Sequence, residues 1–181
     1  MRTRQPLGIE HTLLGLLHRE PRHGYDLFQE LGRPEGMAMV WRLKQGHLYA
    51  LLGRLEQEGY VVATLESQEA RPPRKVYTLT DKGRQAFRAW MEAPVTRGRQ
   101  LRLEFLAKLH FALLESEEAA LRLVSAQREA CRTWDEARPV EMAGRVTFPS
   151  LVDSFRASQV QASIAWLDAC ERTLRLSAAP E

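Results

Sequence analysis

The sequence has little cysteine and no long apolar run, and both shortages narrow what it can be. Cys131 and Cys170 are the only cysteines in 181 residues, and there is no C-x-x-C and no Cys/His cluster at zinc spacing. Neither a disulfide framework nor a metal module is therefore expected, and both thiols should be buried and reduced. No segment reaches the ~20 apolar residues that a bilayer-spanning helix needs. Met1-Arg2-Thr3-Arg4 is followed by no signal-type apolar core with a cleavage site, so the expectation is a cytoplasmic protein with no membrane partner. Catalytic signatures are missing too, with no G-x-x-x-x-G-K-[ST] phosphate loop and no G-x-S-x-G turn. His11 and His18 sit seven apart on one predicted helix without further ligands at metal-binding spacing. The reading is accordingly not an enzyme, with no cofactor and no metal.

What the chain does have is a composition typical of a globular protein and a mild basic excess, +3 in all. Residues 1–93 carry 14 Lys/Arg against 11 Asp/Glu, and residues 94–181 carry 12 against 12, so the excess sits wholly in the first half. A polyanionic partner for that half is consistent with this, although many domains that bind no nucleic acid match it.

Periodicity gives the first half its elements. Ile9, Leu13, Leu14, Leu16 and Leu17 form the apolar stripe of a helix from Leu7 to Arg19 that Pro21 ends. His23-Gly24 opens a second short helix with Tyr25, Leu27, Phe28 and Leu31 inward and Gly32 as its stop. Arg33 to Arg42, with Pro34 and Gly36, reads as an irregular connection that tucks Trp41 onto the core. Leu43 to Gly59 is a third helix: Leu48, Leu51, Leu52 and Leu55 make a buried stripe, and His47, Ala50, Arg54 and Gln57 lie opposite. The period then changes. Tyr60–Leu65 and Val76–Thr80 are β-branched and aromatic, the two strands of a hairpin joined by a loop, Glu66 to Lys75, stiffened by Pro72 and Pro73. Thr80 caps a fourth helix running to about Met91, and Pro94 and Gly98 mark a boundary. Three helices, a ribbon and a further helix describe a winged helix-turn-helix, in which a helix end enters the major groove and wing cations reach phosphates.

Four stretches, in this order and spacing, resemble the PadR-type transcriptional regulators: Leu13-Leu14-Gly15-Leu16-Leu17, His23-Gly24-Tyr25-Asp26-Leu27, the run from Gly46 to Gly59, and Arg74-Lys75-Val76-Tyr77-Thr78-Leu79-Thr80-Asp81-Lys82-Gly83. The resemblance covers residues 7 to 92 and extends loosely through Phe105-Leu106-Ala107-Lys108-Leu109-His110-Phe111. It departs from the family at Lys44-Gln45-Gly46-His47, where a small hydroxyl residue is common, and at Ala70-Arg71-Pro72-Pro73 in the wing. It implies a repressor acting at promoters as a dimer through its C-terminal helices.

Each candidate site residue carries two readings. Gln45 and His47 stand where side chains reach base edges, against a cap or packing role for His47. Tyr49 is a phosphate donor or half-buried core. Arg54 is a phosphate contact, or is held by Glu58 four residues on in a pair worth only ~0.3–0.5 kcal/mol. Arg71, Arg74 and Lys75 are phosphate contacts of the wing or a solvated charge run. Tyr25 serves the core.

In the second half, Leu101, Phe105, Leu109 and Leu113 mark a helix over residues 99 to 115, with Leu106 and Phe111 widening its stripe. Ser116 caps another helix from Glu117 to about Ala137, Pro139 and Pro149 bound an irregular stretch, and a last helix runs to about Leu176. Three amphipathic helices in under ninety residues call for a partner, most simply a second copy, which would set two recognition helices one DNA turn, ~34 Å, apart on a pseudo-palindromic operator. The resemblance to aromatic-responsive family members suggests that Trp134, Phe148, Phe155 and Trp166 line a pocket for a small aromatic or hydrophobic effector; packing is the alternative role.

The fold class is thus mainly α with a small β-hairpin wing: a winged helix-turn-helix domain, residues 1–93, followed by a C-terminal α-helical dimerisation domain, residues 94–181. The expected function is that of a homodimeric, sequence-specific regulator of transcription on double-stranded DNA, with a small-molecule sensor or protein-interaction module that no longer binds DNA as the alternative.

Overall fold

The computed structural model describes residues 8–68, 71–136 and 146–177. In chain order the elements are α1 (Gly8–His18), β1 (Arg22–His23), α2 (Gly24–Leu31), a 3₁₀ turn (Met37–Met39), α3 (Gln45–Gln57), β2 (Val61–Gln68), β3 (Arg71–Leu79), α4 (Asp81–Glu92), a short α5 (Gly98–Gln100), a π-turn (Leu101–Phe105), α6 (Leu106–Glu115), α7 (Glu117–Glu136) and α8 (Phe148–Ser177). Two compact units result: the described residues up to Ala93 with Arg102–Phe111, and Pro94–Leu101 with the described residues from Ala112 on.

The first unit is assembled around the leucine stripes. Leu13 and Leu14 of α1, Leu27 of α2, and Leu48, Leu51, Leu52 and Leu55 of α3 are completely buried in one core. At about 1.5–3 kcal/mol for each fully buried leucine, the four of α3 fix its rotation against α1 and α2 far more firmly than its polar residues could.

Glycine is required at two positions, once for backbone conformation and once for a close approach. Gly59, at φ +74°, takes the left-handed conformation after α3; its N–H bonds to Glu56 O at 3.1 Å and that of Tyr60 to Leu55 O at 2.9 Å, closing the helix with paired carbonyls. Gly83 lets the first turn of α4 lie against Tyr60, whose carbonyl oxygen would be 2.1 Å from a Cβ there. Thr80 joins the two ends: its Oγ1 accepts from the Gly83 N–H at 3.1 Å and donates to Gly59 O at 2.8 Å.

The sheet is antiparallel with strand order β1-β3-β2, and it corrects two expectations. A third strand, the dipeptide Arg22–His23, pairs with Tyr77 and Val76, too short to give any alternation signal. The expected loop from Glu66 to Lys75 is mostly strand, because β2 runs to Gln68 and β3 starts at Arg71, leaving only residues 69–70 between them. Glu66 pairs with Arg74 and Gln68 with Arg71, so β3 carries one extra residue where Pro72 and Pro73 fall. Such a bulge spares prolines from donating to a ladder, which is why they do not break the strand. Tyr25, expected inward, is 51% exposed; Leu27 and Leu31 supply the inward face of α2 without it.

Aromatic rings complete this unit. His11 stacks on Trp90 with centroids 5.2 Å apart, and Phe87 meets Phe111 edge-on at 5.4 Å. Beneath them Lys108 is buried, its ammonium donating to Ala93 O and lying 5.1 Å from the Trp90 ring, with burial lowering its pKa to about 8. The apolar stripe predicted for this segment therefore holds only in part: Phe105 and Phe111 are buried as expected, Leu113 is exposed, and Lys108 takes an inward position after the π-turn's change of phase.

In the second unit Gln127 of α7 is buried and brackets Val95, accepting from its N–H at 2.7 Å and donating to its C=O at 3.2 Å. Arg128 of α7 pairs with Asp168 at 3.1 Å and with Glu171, both on α8. Cys131 is buried as expected, whereas Cys170 is only half-buried; both are free, and burial raises both thiol pKa values. Pro139 of the expected irregular stretch lies outside the described residues.

Gly83→Ala places a methyl inside the Tyr60 carbonyl contact and is expected to cost at least about 2 kcal/mol, read as a lower urea midpoint at unchanged slope.

Candidate nucleic-acid interface

With Leu48, Leu51, Leu52 and Leu55 inward, α3 turns its remaining residues to solvent, and its first turn is exposed throughout: Lys44 at the N-cap, then Gln45, Gly46 and His47. No side chain caps this helix start; the His47 N–H bonds back to Lys44 O at 3.0 Å, and the positive end of the helix faces solvent. Gln45 and His47 project from that turn, as the spacing predicted. A Cβ on Gly46 would meet nothing within 4 Å, so the front of the helix stands clear of the fold.

Tyr49 is half-exposed, and its ring lies against the start of α2, where a Cβ on Gly24 would come within 2.6 Å of Cε1. Glycine in the His23-Gly24-Tyr25 stretch thus makes room for the aromatic of α3 while leaving its edge to solvent.

Two of the expected phosphate-binding cations are engaged within the fold. Arg54 is not paired with Glu58, as its spacing suggested; its Nε lies 3.6 Å from the carboxylate of Glu10, a side chain only 1% exposed on α1. Helix geometry permits an i,i+4 pair, but the fully buried carboxylate on the adjoining helix attracts a cation more strongly than the half-buried one of Glu58 does. Lys75 of β3 bonds Glu56 of α3 at 3.2 Å, and that hydrogen bond, with the charge of Glu56, raises the lysine pKa. The contact ties the wing to the side of α3.

Arg74, on the neighbouring β3 position, is exposed and has no ion-pair partner among the described residues. The Arg71 side chain lies outside the described residues. Lys44 and Arg42, exposed just ahead of α3, belong with this basic surface; the sequence signal for them was their position before the first turn, which the periodicity of the helix does not reach.

The four aromatics expected to line an effector pocket are distributed along the second unit. Phe148 and Phe155 are 80% and 64% exposed on α8, Trp166 is exposed further along the same helix, and Trp134 of α7 is half-buried. Among the described residues no group of His, Cys, Asp and Glu could hold a metal, and no helix is long and apolar enough to cross a membrane.

An outward helix start beside a twisted ribbon, on a three-helix core, defines a winged helix-turn-helix of the DNA-binding type. The chain belongs to the PadR-like family of transcriptional regulators, whose family model matches residues 13–89. It is 28% identical over 113 residues to the negative transcriptional regulator PadR of Bacillus subtilis, covering 62% of this chain and 61% of that protein, so it spans less than two thirds of that relative's length. A PadR-like transcription factor from Bacteroides fragilis is 32% identical over 45% of this chain and 74% of its own, with a TM-score of 0.39. The structure of Bacillus subtilis PadR in complex with operator DNA covers 90% of this chain and 97% of its own at 22% identity, with a TM-score of 0.47.

Removing Arg54 strips a cation from a buried carboxylate. With the arginine side chain 44% exposed, Arg54→Ala is expected to cost about 1–2 kcal/mol, below the range for fully buried pairs. The cost should shrink in a Glu10→Gln background; a double-mutant cycle in urea reads the coupling, and additive effects would refute the pairing.

Proposed function

We propose that this chain is a sequence-specific DNA-binding regulator of transcription that acts as a homodimer in the cytoplasm. One observation carries the reading: the first turn of α3, with Gln45 and His47, is exposed and uncapped beside a wing whose Arg74 is free of ion pairs among the described residues. Gln45 reads a base edge, where a glutamine amide matches adenine; His47 is its neighbour at the same edge. Arg74, Lys44 and Arg71 meet phosphates, and Tyr49 adds a hydroxyl to the backbone. Arg54 and Lys75 act chiefly as internal ties, each already facing a carboxylate.

The dimer reading is supported by α8, on which Phe148, Leu151 and Phe155 are exposed at helical spacing and form an apolar stripe in the single chain. A second copy laid against it would bury that stripe and present two α3 helices to a pseudo-palindromic operator. Repression is the sense of regulation, as in the negative regulator of Bacillus subtilis to which the chain is similar. A small aromatic or hydrophobic effector that favours one arrangement of the dimer would relieve it, with Trp134, Phe148, Phe155 and Trp166 at or near that interface.

Selection of bound duplexes from a random library tests the assignment. The wild-type chain should enrich a two-fold-related motif; Gln45→Ala should change the preferred base at one position in each half-site, and Arg74→Ala should weaken all sites by a similar factor, about five- to tenfold, without changing the motif. Failure to enrich any motif would favour a winged helix that senses or binds other molecules instead.

A further inference from the structure

The wing is held differently at its base and further out. At the base, Tyr77 and Leu79 of β3 and Val61 of β2 are buried in the leucine core. β1 pairs with β3 there too, but its register ends at Val76. Beyond Val76 the ribbon is two-stranded, with Leu65 opposite Lys75 and Glu66 opposite Arg74, and all four residues are exposed. The irregularity after Glu66 follows at once, and a bulge of this kind interrupts the ladder.

Among the described residues one hydrogen bond joins this outer part of the ribbon to a helix: Lys75 Nζ donates to the Glu56 carboxylate of α3 at 3.2 Å. His23 Nε2 of β1 lies 3.7 Å from Glu66, too far for a hydrogen bond. Strand alternation puts Lys75 on the same face as Tyr77, toward α3, and Arg74 on the opposite face. Lys75 stands two residues beyond Tyr77, ~7 Å along the strand, so its bond to Glu56 acts on the ribbon past the residues that belong to the core.

We infer that Glu56 is a positioning residue for DNA binding: through Lys75 it holds the outer wing against α3 and so fixes where Arg74 stands relative to Gln45 and His47. The inference rests on the DNA-binding reading of this surface. Glu56 is an anion on the helix that meets DNA in that reading, so its charge alone opposes binding to a polyanion. Positioning and charge therefore predict opposite signs when the carboxylate is removed.

The full chain is titrated onto a duplex that it enriches by selection. Glu56→Ala keeps a strong helix former and removes one member of a half-exposed pair that contributes little to stability, so it should fold. It should bind about fivefold more weakly although a negative charge has gone. In a chain already carrying Arg71→Ala and Arg74→Ala, the same substitution should change affinity by less than about 1.5-fold, because no wing arginine remains to be placed. The reversed pair, Glu56→Lys with Lys75→Glu, restores the tie and should bind within about twofold of wild type. In the DNA-free protein, amide exchange at residues 64–66 and 74–75 should quicken about threefold in Glu56→Ala while Val61 and Leu79 keep their rates. Unchanged or tighter binding by Glu56→Ala, an equal loss in the chain without wing arginines, no recovery in the reversed pair, or unchanged exchange in the outer ribbon would each overturn the inference. If the wild-type chain enriches no duplex, the DNA-binding reading fails and the positioning role with it; a wild type that binds, beside a Glu56→Ala chain that binds as well, overturns the inference alone.

Discussion

The burial of one face of α3 is the constraint on which the rest of the first unit depends. Four leucines at complete burial fix the rotation of a thirteen-residue helix, and rotation decides which side chains meet solvent. Gln45 and His47 project because Leu48, Leu51, Leu52 and Leu55 cannot. The far end of the helix is fixed by Gly59, Thr80 and Gly83, where backbone closure of α3 and the N-terminus of α4 share one hydroxyl. The wing grows from between those two ends, and Lys75 on Glu56 ties it to the flank of the helix. The exposed start of α3 and the wing are therefore set by one hydrophobic face and a few short polar contacts.

Charge in this unit divides into cations that serve the fold and cations that remain for a partner. Arg54 faces the buried Glu10, Lys75 faces Glu56, and Lys108 lies under Trp90 with its ammonium on the Ala93 carbonyl. The modest net charge of +3 conceals this division, because a count weighs a buried lysine the same as an arginine on the wing. Among the described residues, Lys44, Arg42 and Arg74 are exposed cations without an ion pair near the start of α3 or on the wing, the kind of charge that a polyanion would meet.

Much of this was legible in the sequence. The leucine periodicity located α1 and α3, glycine and proline located their ends, and the change of period located β2 and β3; the order of these elements sufficed for the winged helix. The misses have physical causes. The two-residue strand Arg22–His23 has no periodicity to detect, and the bulge at Pro72–Pro73 depends on a register that only the paired strand defines. Arg54 went to Glu10, forty-four positions earlier in the chain, instead of Glu58, because a buried carboxylate on another helix is invisible to a rule about neighbours on the same one. The inward Lys108 was hidden for a similar reason: its hydrogen-bond acceptor is a backbone carbonyl at the end of α4 and its other contact an indole ring. Chain spacing records local geometry well and tertiary electrostatics poorly.

The central claim, that a basic surface around the start of α3 engages duplex DNA, is tested most directly by the salt dependence of binding. For a duplex enriched by the protein, the account predicts that log K falls linearly with log salt at a slope of about −3 or steeper, as the release of several counterions by a dimer requires. Affinity that is flat across the same salt range, or binding to duplex too weak to measure even at low salt, would contradict it.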